Sequence, residues 1–220
     1  NKALENIFKK KIKTIGSGRT DAGVHAKEFH VVFEAPFEIP HEGLVKALNG
    51  NLPDDIRALT SEFVNMNFRP TNDAIEKEYR YFFSLKPEGF AFYKDVMTYV
   101  KYPLDINMVS VACAEFIGKH DFLNFHCVGS DPKSTIRTIR VCELVKCEAN
   151  DLYPEHFYLR IIGDGFLKQM VRLIVGAAWD VGRGRLAMTD ITTALKSKEF
   201  KHIAAVAPPN GLIKYKVLYP

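Results

Sequence analysis

From Ile75 to Leu85 the side chains alternate strictly. Ile75, Lys77, Tyr79, Tyr81, Phe83 and Leu85 fall on one side of an extended chain, and Glu76, Glu78, Arg80 and Phe82 on the other. A period of two over this length, with so many aromatics, predicts a half-buried β-strand with two tyrosines on one face. Ile12–Ile15, Phe29–Glu34, Ile56–Val64, Thr135–Cys147, His156–Ile162 and Gly211–Tyr219 are further extended segments that could pair with it. Between them lie helical patterns: Leu4–Lys10, Glu42–Asn49, Ile106–Ile117 (capped by Asp105, stopped at Gly118), Phe166–Val181, and a last helix capped by Thr189 and running to Leu195. Strands and helices in this order, without repeated βαβ units, predict an α+β fold on antiparallel sheets.

Composition narrows the function classes only slightly. At 220 residues and 47% hydrophobic the chain can fill one large domain or two small ones. Thirty Lys and Arg against 26 Asp and Glu permit an acidic partner without demanding one. No apolar run reaches membrane-spanning length and no signal-peptide core is present, so we expect a cytoplasmic protein that meets no membrane. Cys113, Cys127, Cys142 and Cys147 form no C-x-x-C pair and are expected as reduced thiols.

The loop Gly18-Arg19-Thr20-Asp21-Ala22-Gly23-Val24-His25-Ala26 has the strongest chemical content, an acid two residues from an arginine among turn-forming glycines. It lacks the G-x-x-x-x-G-K-[ST] order of a phosphate loop. Taken alone, Asp21 could be a turn residue bonding nearby backbone, Tyr79 a core aromatic, and Arg172 a cation reaching solvent from an apolar helix. Helical spacing puts Lys168 and Arg172 on one face, away from Phe166, Met170, Leu173 and Ala177, which suggests a charged stripe lining a cleft. His25 and His30, and His120 beside Asp121, lack metal-ligand spacing, and Ser17, Ser130 and Cys127 lie in no hydrolase motif.

Gly18–Ala26 resembles the signature of the TruA-type tRNA pseudouridine synthases. So do Ala47-Leu48-Asn49-Gly50-Asn51-Leu52-Pro53-Asp54-Asp55-Ile56, Lys77-Glu78-Tyr79-Arg80-Tyr81, His120-Asp121-Phe122, Arg137-Thr138-Ile139, Gly165-Phe166-Leu167, Met170-Val171-Arg172, Ile174-Val175-Gly176 and Gly211-Leu212, in the family order. The resemblance implies two ferredoxin-like, RRM-like halves, residues 1–72 carrying the Asp loop and residues 73–220, whose sheets meet in a central basic cleft. It implies a homodimer acting on the anticodon stem-loop of tRNA with no metal or organic cofactor. Asp21 would be the catalytic carboxylate, Tyr79 would pack on the target uracil, and Arg172 would pair with the aspartate. Whether the carboxylate attacks C1′, attacks the base or takes a 2′ proton stays open.

Arg19 is a candidate for holding the RNA backbone or filling the space of a flipped uridine, with Lys168 and Arg137 as further RNA contacts. Lys133, Arg140, Arg183 and Arg185 are weaker candidates. The family opens with a strand, a Tyr-Asp-Gly turn, a Gly-Trp-Gln segment and a helix, of which only the helix end is recognisable after Asn1. We therefore expect a missing first strand and an unpaired sheet edge. Two other outcomes are a binding module of the same fold without turnover, and an N-glycosidase releasing free uracil, which would want a second carboxylate.

Overall fold

The computed structural model describes residues 1–88 and 90–220. In chain order the elements are α1 (Lys2–Phe8), β1 (Thr14–Gly16), β2 (His25–Ala26), β3 (Val31–Phe33), α2 (His41–Asn49), β4 (Glu76–Ser84), α3 (Phe90–Tyr93), β5 (Thr98–Tyr99), α4 (Ile106–Ala114), β6 (Gly118–Asp121), β7 (Ile136–Cys147), β8 (His156–Gly163), α5 (Met170–Gly182), α6 (Met188–Lys196) and β9 (Leu212–Leu218). The architecture is α+β. The chain divides into two units, one of residues 1–19 and 30–73, the other of residues 20–29 and 74–220. The segment after Arg19 that holds Asp21, expected with the N-terminal half, groups with the larger unit.

In the larger unit the strands run in the order β2-β9-β4-β8-β7-β6, with β5 also pairing β4. The long pairs β4–β9, β4–β8 and β7–β8 are antiparallel, whereas the two-residue strands β2 and β5 join in parallel, so the sheet is mixed. Alternation does what the sequence predicts for β8, where every second residue from Phe157 to Gly163 is buried. Tyr81, Phe83, Leu159 and Ile161 form the inner layer, covered by α4, with Val109, Ala112 and Cys113 buried, and by α5. Every residue of α5 except Arg172 and Asp180 is buried. Such a helix has no solvent face, so its two charged side chains need partners, although the buried Trp179 indole N–H has none among the described residues.

Asp105 caps α4, its carboxylate accepting from the backbone N–H groups of Asn107 (2.9 Å) and Met108 (3.1 Å). Asp105→Ala removes the oxygen that accepts both bonds and should cost about 1 kcal/mol, read as a lower urea midpoint at unchanged slope.

The smaller unit has a modest core of Leu4, Phe8 and Ile12, joined by Phe33, Leu44 and Leu48. Its only strand pair among the described residues is antiparallel β1–β3, with Thr14 opposite Phe33. The extended segment expected at Ile56–Val64 is not a strand. Asn49 occupies its backbone instead, with the amide oxygen accepting from Ala58 N (2.8 Å) and the amide nitrogen donating to Ala58 O (3.0 Å), while Leu59 and Phe63 are exposed. An apolar alternating run needs a neighbouring strand, and among the described residues this one has none.

Two helix starts also differ from expectation. Thr189 lies inside α6, and the N-terminal cap is provided by Asp190, whose carboxylate accepts from Ala187 N (2.8 Å). The α5 helix begins at Met170 rather than Phe166, because Gln169 adopts a left-handed conformation (φ 64). Lys168 therefore precedes the helix.

Candidate active site

Asp21 opens a tight turn closed by Val24 N–H donating to Asp21 O at 3.1 Å. Gly23, third in that turn, has φ 79, a conformation that type II turns require and side chains resist. A Cβ there would also come within 3.1 Å of Pro209 Cγ, so the turn rests directly on the segment before β9. Just beyond it, β2 adds to β9, with His25 opposite Ile213 and Ala26 opposite Lys214. The acid is thus carried on a short excursion anchored at its base by sheet pairing.

Arg172 meets it from the first turn of α5. Its Nη1 donates to Asp21 Oδ2 at 2.8 Å, and its Nε donates to Ala207 O at 2.7 Å. The side chains of Arg172 and Asp21 are only 11% and 22% exposed, so the pair is largely removed from water. Isolated charges there would be costly, and the mutual contact, with a carbonyl holding the second guanidinium edge, offsets that cost and fixes the geometry. Asp21 Oδ1 accepts no hydrogen bond among the described residues, which leaves one carboxylate oxygen uncommitted.

Tyr79 stands on β4 directly opposite Lys214 of β9, and its ring meets Phe166 edge-on with centroids 5.0 Å apart. Burial pushes the Tyr79 phenol up to about 12, and the negative charge of Asp21 adds to the rise. The phenol is therefore neutral at any physiological pH. Because the folded state holds the proton more tightly than an unfolded chain, its contribution to stability is complete below pH 10 and is lost as pH climbs from 10 towards 12. A difference titration at 295 nm of parent against Tyr79→Phe should show no phenolate from this residue at pH 10.5. Half-ionisation there would contradict the placement.

Lys214 is a functional-region residue that sequence reasoning missed. It is fully buried, its ammonium sits 4.5 Å from the ring centroid of Phe29, and burial together with the charge of Lys77 lowers it to about 8, against the pull of Glu28. Lys77 is itself lowered by burial and then by Arg137. The signal was available in the alternating run Gly211–Tyr219, where Lys214 falls in step with the inward Leu212.

The remaining candidates are dispersed. Lys168 is exposed in the turn before α5, and its carbonyl accepts from Cys127 N, so the expected stripe with Arg172 does not form. Arg137, near the start of β7, donates to Ser134 O (2.9 Å) and Ile136 O (2.6 Å) and lies beside Gly165. Arg19 belongs to the smaller unit, is exposed, and makes no ion pair among the described residues. Arg140 is engaged with Glu76 (2.6 Å), and Arg183 stacks on Tyr102, 3.7 Å from the ring centroid. Cys113 and Cys142 are buried, and all four thiols are free. No three His, Cys, Asp or Glu among the described residues are grouped to hold a metal ion, and no helix among them is long and apolar enough to cross a membrane.

A carboxylate with one oxygen fixed by arginine, one oxygen uncommitted, and an aromatic ring nearby suits attack on, or stabilisation of, an electron-poor carbon bearing a planar leaving group. Comparison with known proteins points the same way. The pattern of a family described as tRNA pseudouridine synthase matches residues 112–220. A protein named tRNA pseudouridine synthase A from Exiguobacterium sibiricum is 37% identical over 219 residues, covering 100% of this chain and 85% of its own. Namesakes from Clostridium botulinum and Thermosipho melanesiensis are 38% and 37% identical, each over 99% of this chain and 87% of theirs.

Proposed function

Since the chain belongs to the tRNA pseudouridine synthase family, we propose that it isomerises uridine to pseudouridine in the anticodon stem-loop of tRNA, with Asp21 as the reacting carboxylate. The observation that carries the assignment is the Asp21–Arg172 pair at 2.8 Å beside Tyr79. In the reaction the N1–C1′ bond breaks, C5 bonds to C1′, the C5 proton passes to solvent and N1 gains one. Asp21 Oδ1 supplies the negative charge that attacks or neutralises the electron-poor sugar carbon as N1 departs. Arg172 holds the other oxygen, so the acid needs no reorganisation during the step. Tyr79 covers a face of the extruded uracil, a contact worth about 1–3 kcal/mol.

Reaching a base in a folded stem-loop requires flipping it out, and recognition then rests on backbone and stem shape. Arg19, Arg137 and Lys168 are proposed as phosphate contacts on that path. A homodimer in the cytoplasm is the proposed working form, and sedimentation at micromolar concentration tests the assembly.

Tritium at uracil C5 reports the reaction directly, because that hydrogen is lost only when C5 bonds to C1′. The chain should release tritium from an anticodon stem-loop so labelled, without free uracil. Release of free uracil would instead mark an N-glycosidase, and RNA binding with neither release would mark a binding module.

A further inference from the structure

The residues that touch the reacting groups are not the ones that fix where those groups stand. Arg172 Nε leans on Ala207 O, and Gly23 of the acid's turn packs on Pro209. Both halves of the ion pair therefore rest on one short segment, 207–210. That segment is pinned from beneath. Tyr81 donates its hydroxyl to Pro208 O at 2.8 Å and shares a 2.9 Å hydrogen bond with Thr98 Oγ1. Because the Tyr81 proton goes to Pro208 O, the one Thr98 hydroxyl proton is shared between Tyr81 Oη and Asn210 Oδ1, 3.1 Å away, and Asn210 Nδ2 donates to Lys94 O and Met97 O at 2.7 Å each.

Tyr81 is fully buried, and burial raises its phenol far above the ordinary tyrosine value, so the hydroxyl keeps the proton it donates. The fit leaves no slack at the next residue. A Cβ on Gly211 would lie 2.5 Å from Phe82 O and 2.8 Å from both Thr98 Oγ1 and Tyr81 Cε1. The same 94–98 stretch receives His25 as well, whose Nε2 contacts Asp95 O four residues beyond Asp21.

We propose that Tyr81, Thr98 and Asn210 are positioning residues for the isomerisation, forming a buried brace that holds the 207–210 turn and through it sets the separation of Asp21 and Arg172. The proposal rests on Asp21 being the reacting acid. None of the three is asked to touch RNA. Their loss should therefore slow the chemical step at bound substrate and leave binding alone, since a displacement of about 1 Å at a reacting group can cost roughly a hundredfold.

Tyr81→Phe removes only the hydroxyl, and Thr98→Val removes only its bridge to Tyr81 and Asn210, so one variant serves if the other fails to fold. Single-turnover tritium release at saturating stem-loop RNA, the Kd for that RNA, and Tm are measured for both, with Asp21→Asn alongside. The expected result is a rate lowered about tenfold to a hundredfold with Kd within twofold of the parent. Parent rates in both variants with an inactive Asp21→Asn would overturn the brace alone. A lower rate, a higher Kd and a lower Tm together would overturn it in favour of a purely structural role. Full activity in Asp21→Asn would overturn the Asp21 assignment and the brace with it.

Discussion

Asp21→Asn should bind stem-loop RNA within a few-fold of the parent and release tritium on the order of ten-thousandfold more slowly, the scale seen when the reacting group of a catalytic unit is removed. The amide keeps the size of the carboxylate and an oxygen for Arg172 Nη1, and Arg172 retains Ala207 O through its Nε. What disappears is the anionic oxygen. Among the described residues no other carboxylate forms an ion pair with Arg172, so none of them takes over the charge. Single-turnover release with excess protein separates chemistry from binding, and circular dichroism confirms that the fold persists. A variant within tenfold of the parent would remove Asp21 from the mechanism.

Gly176→Ala should produce the second large effect, on stability first and activity after. Gly176 sits one helical turn beyond Arg172, where α5 is crossed by the chain at Ala204 and Ala205. A Cβ at this position would lie 2.0 Å from Ala205 O, which no rotamer change can relieve because both atoms are bound to backbone. Either α5 or the 204–207 segment must shift. Overpacking of this kind costs about 3 kcal/mol or more, which for a chain of this size corresponds to roughly 6–12 °C in Tm. The shift also separates Arg172 from Ala207, so single-turnover release in the folded fraction should fall too. A Tm within 2 °C of the parent would show that the close approach is not maintained in solution.

How far the sequence foretold this arrangement depends on the range of the forces at each position. Alternation along His156–Ile162 was legible because one face of that strand is packed and the other is not, a difference written into every second residue, whereas along Ile75–Leu85 it marked Tyr81 and Phe83 as inward but not Glu78 and Ser84, which are buried from the opposite face. The Asp105 cap was legible for the same reason, since donor and acceptor are two or three residues apart. The start of α5 was not. Phe166 and Leu167 fit the helical period, but Cys127 N–H takes the Lys168 carbonyl and Gln169 turns left-handed, an outcome that involves a residue 41 positions away from Lys168 in sequence. With it fell the argument that paired Lys168 with Arg172 by helical spacing.

Ile56–Val64 failed for a related reason. Its alternation matched a strand, yet a strand exists only where another edge meets it, and Asn49 had already taken the Ala58 backbone. At the site, resemblance singled out Asp21, Tyr79 and Arg172, and the fold brings all three into the larger unit. The supports behind them, Ala207 O, Pro209 and Thr98, carry no local signature. A backbone oxygen or a proline becomes important only through where folding puts it.

The chain passes between its two units three times, after Arg19, after Phe29 and after Asp73. The ten residues of the middle passage include Asp21, so a gene fragment encoding residues 74–220 would inherit Tyr79 and Arg172 without the acid. Recombination that trades whole contiguous blocks cannot pass this chemistry from one protein to another at that junction. The heritable module is the longer stretch from the Asp turn to β9, and residues 30–73 of the smaller unit travel with it, while α1 and β1 precede the turn and do not.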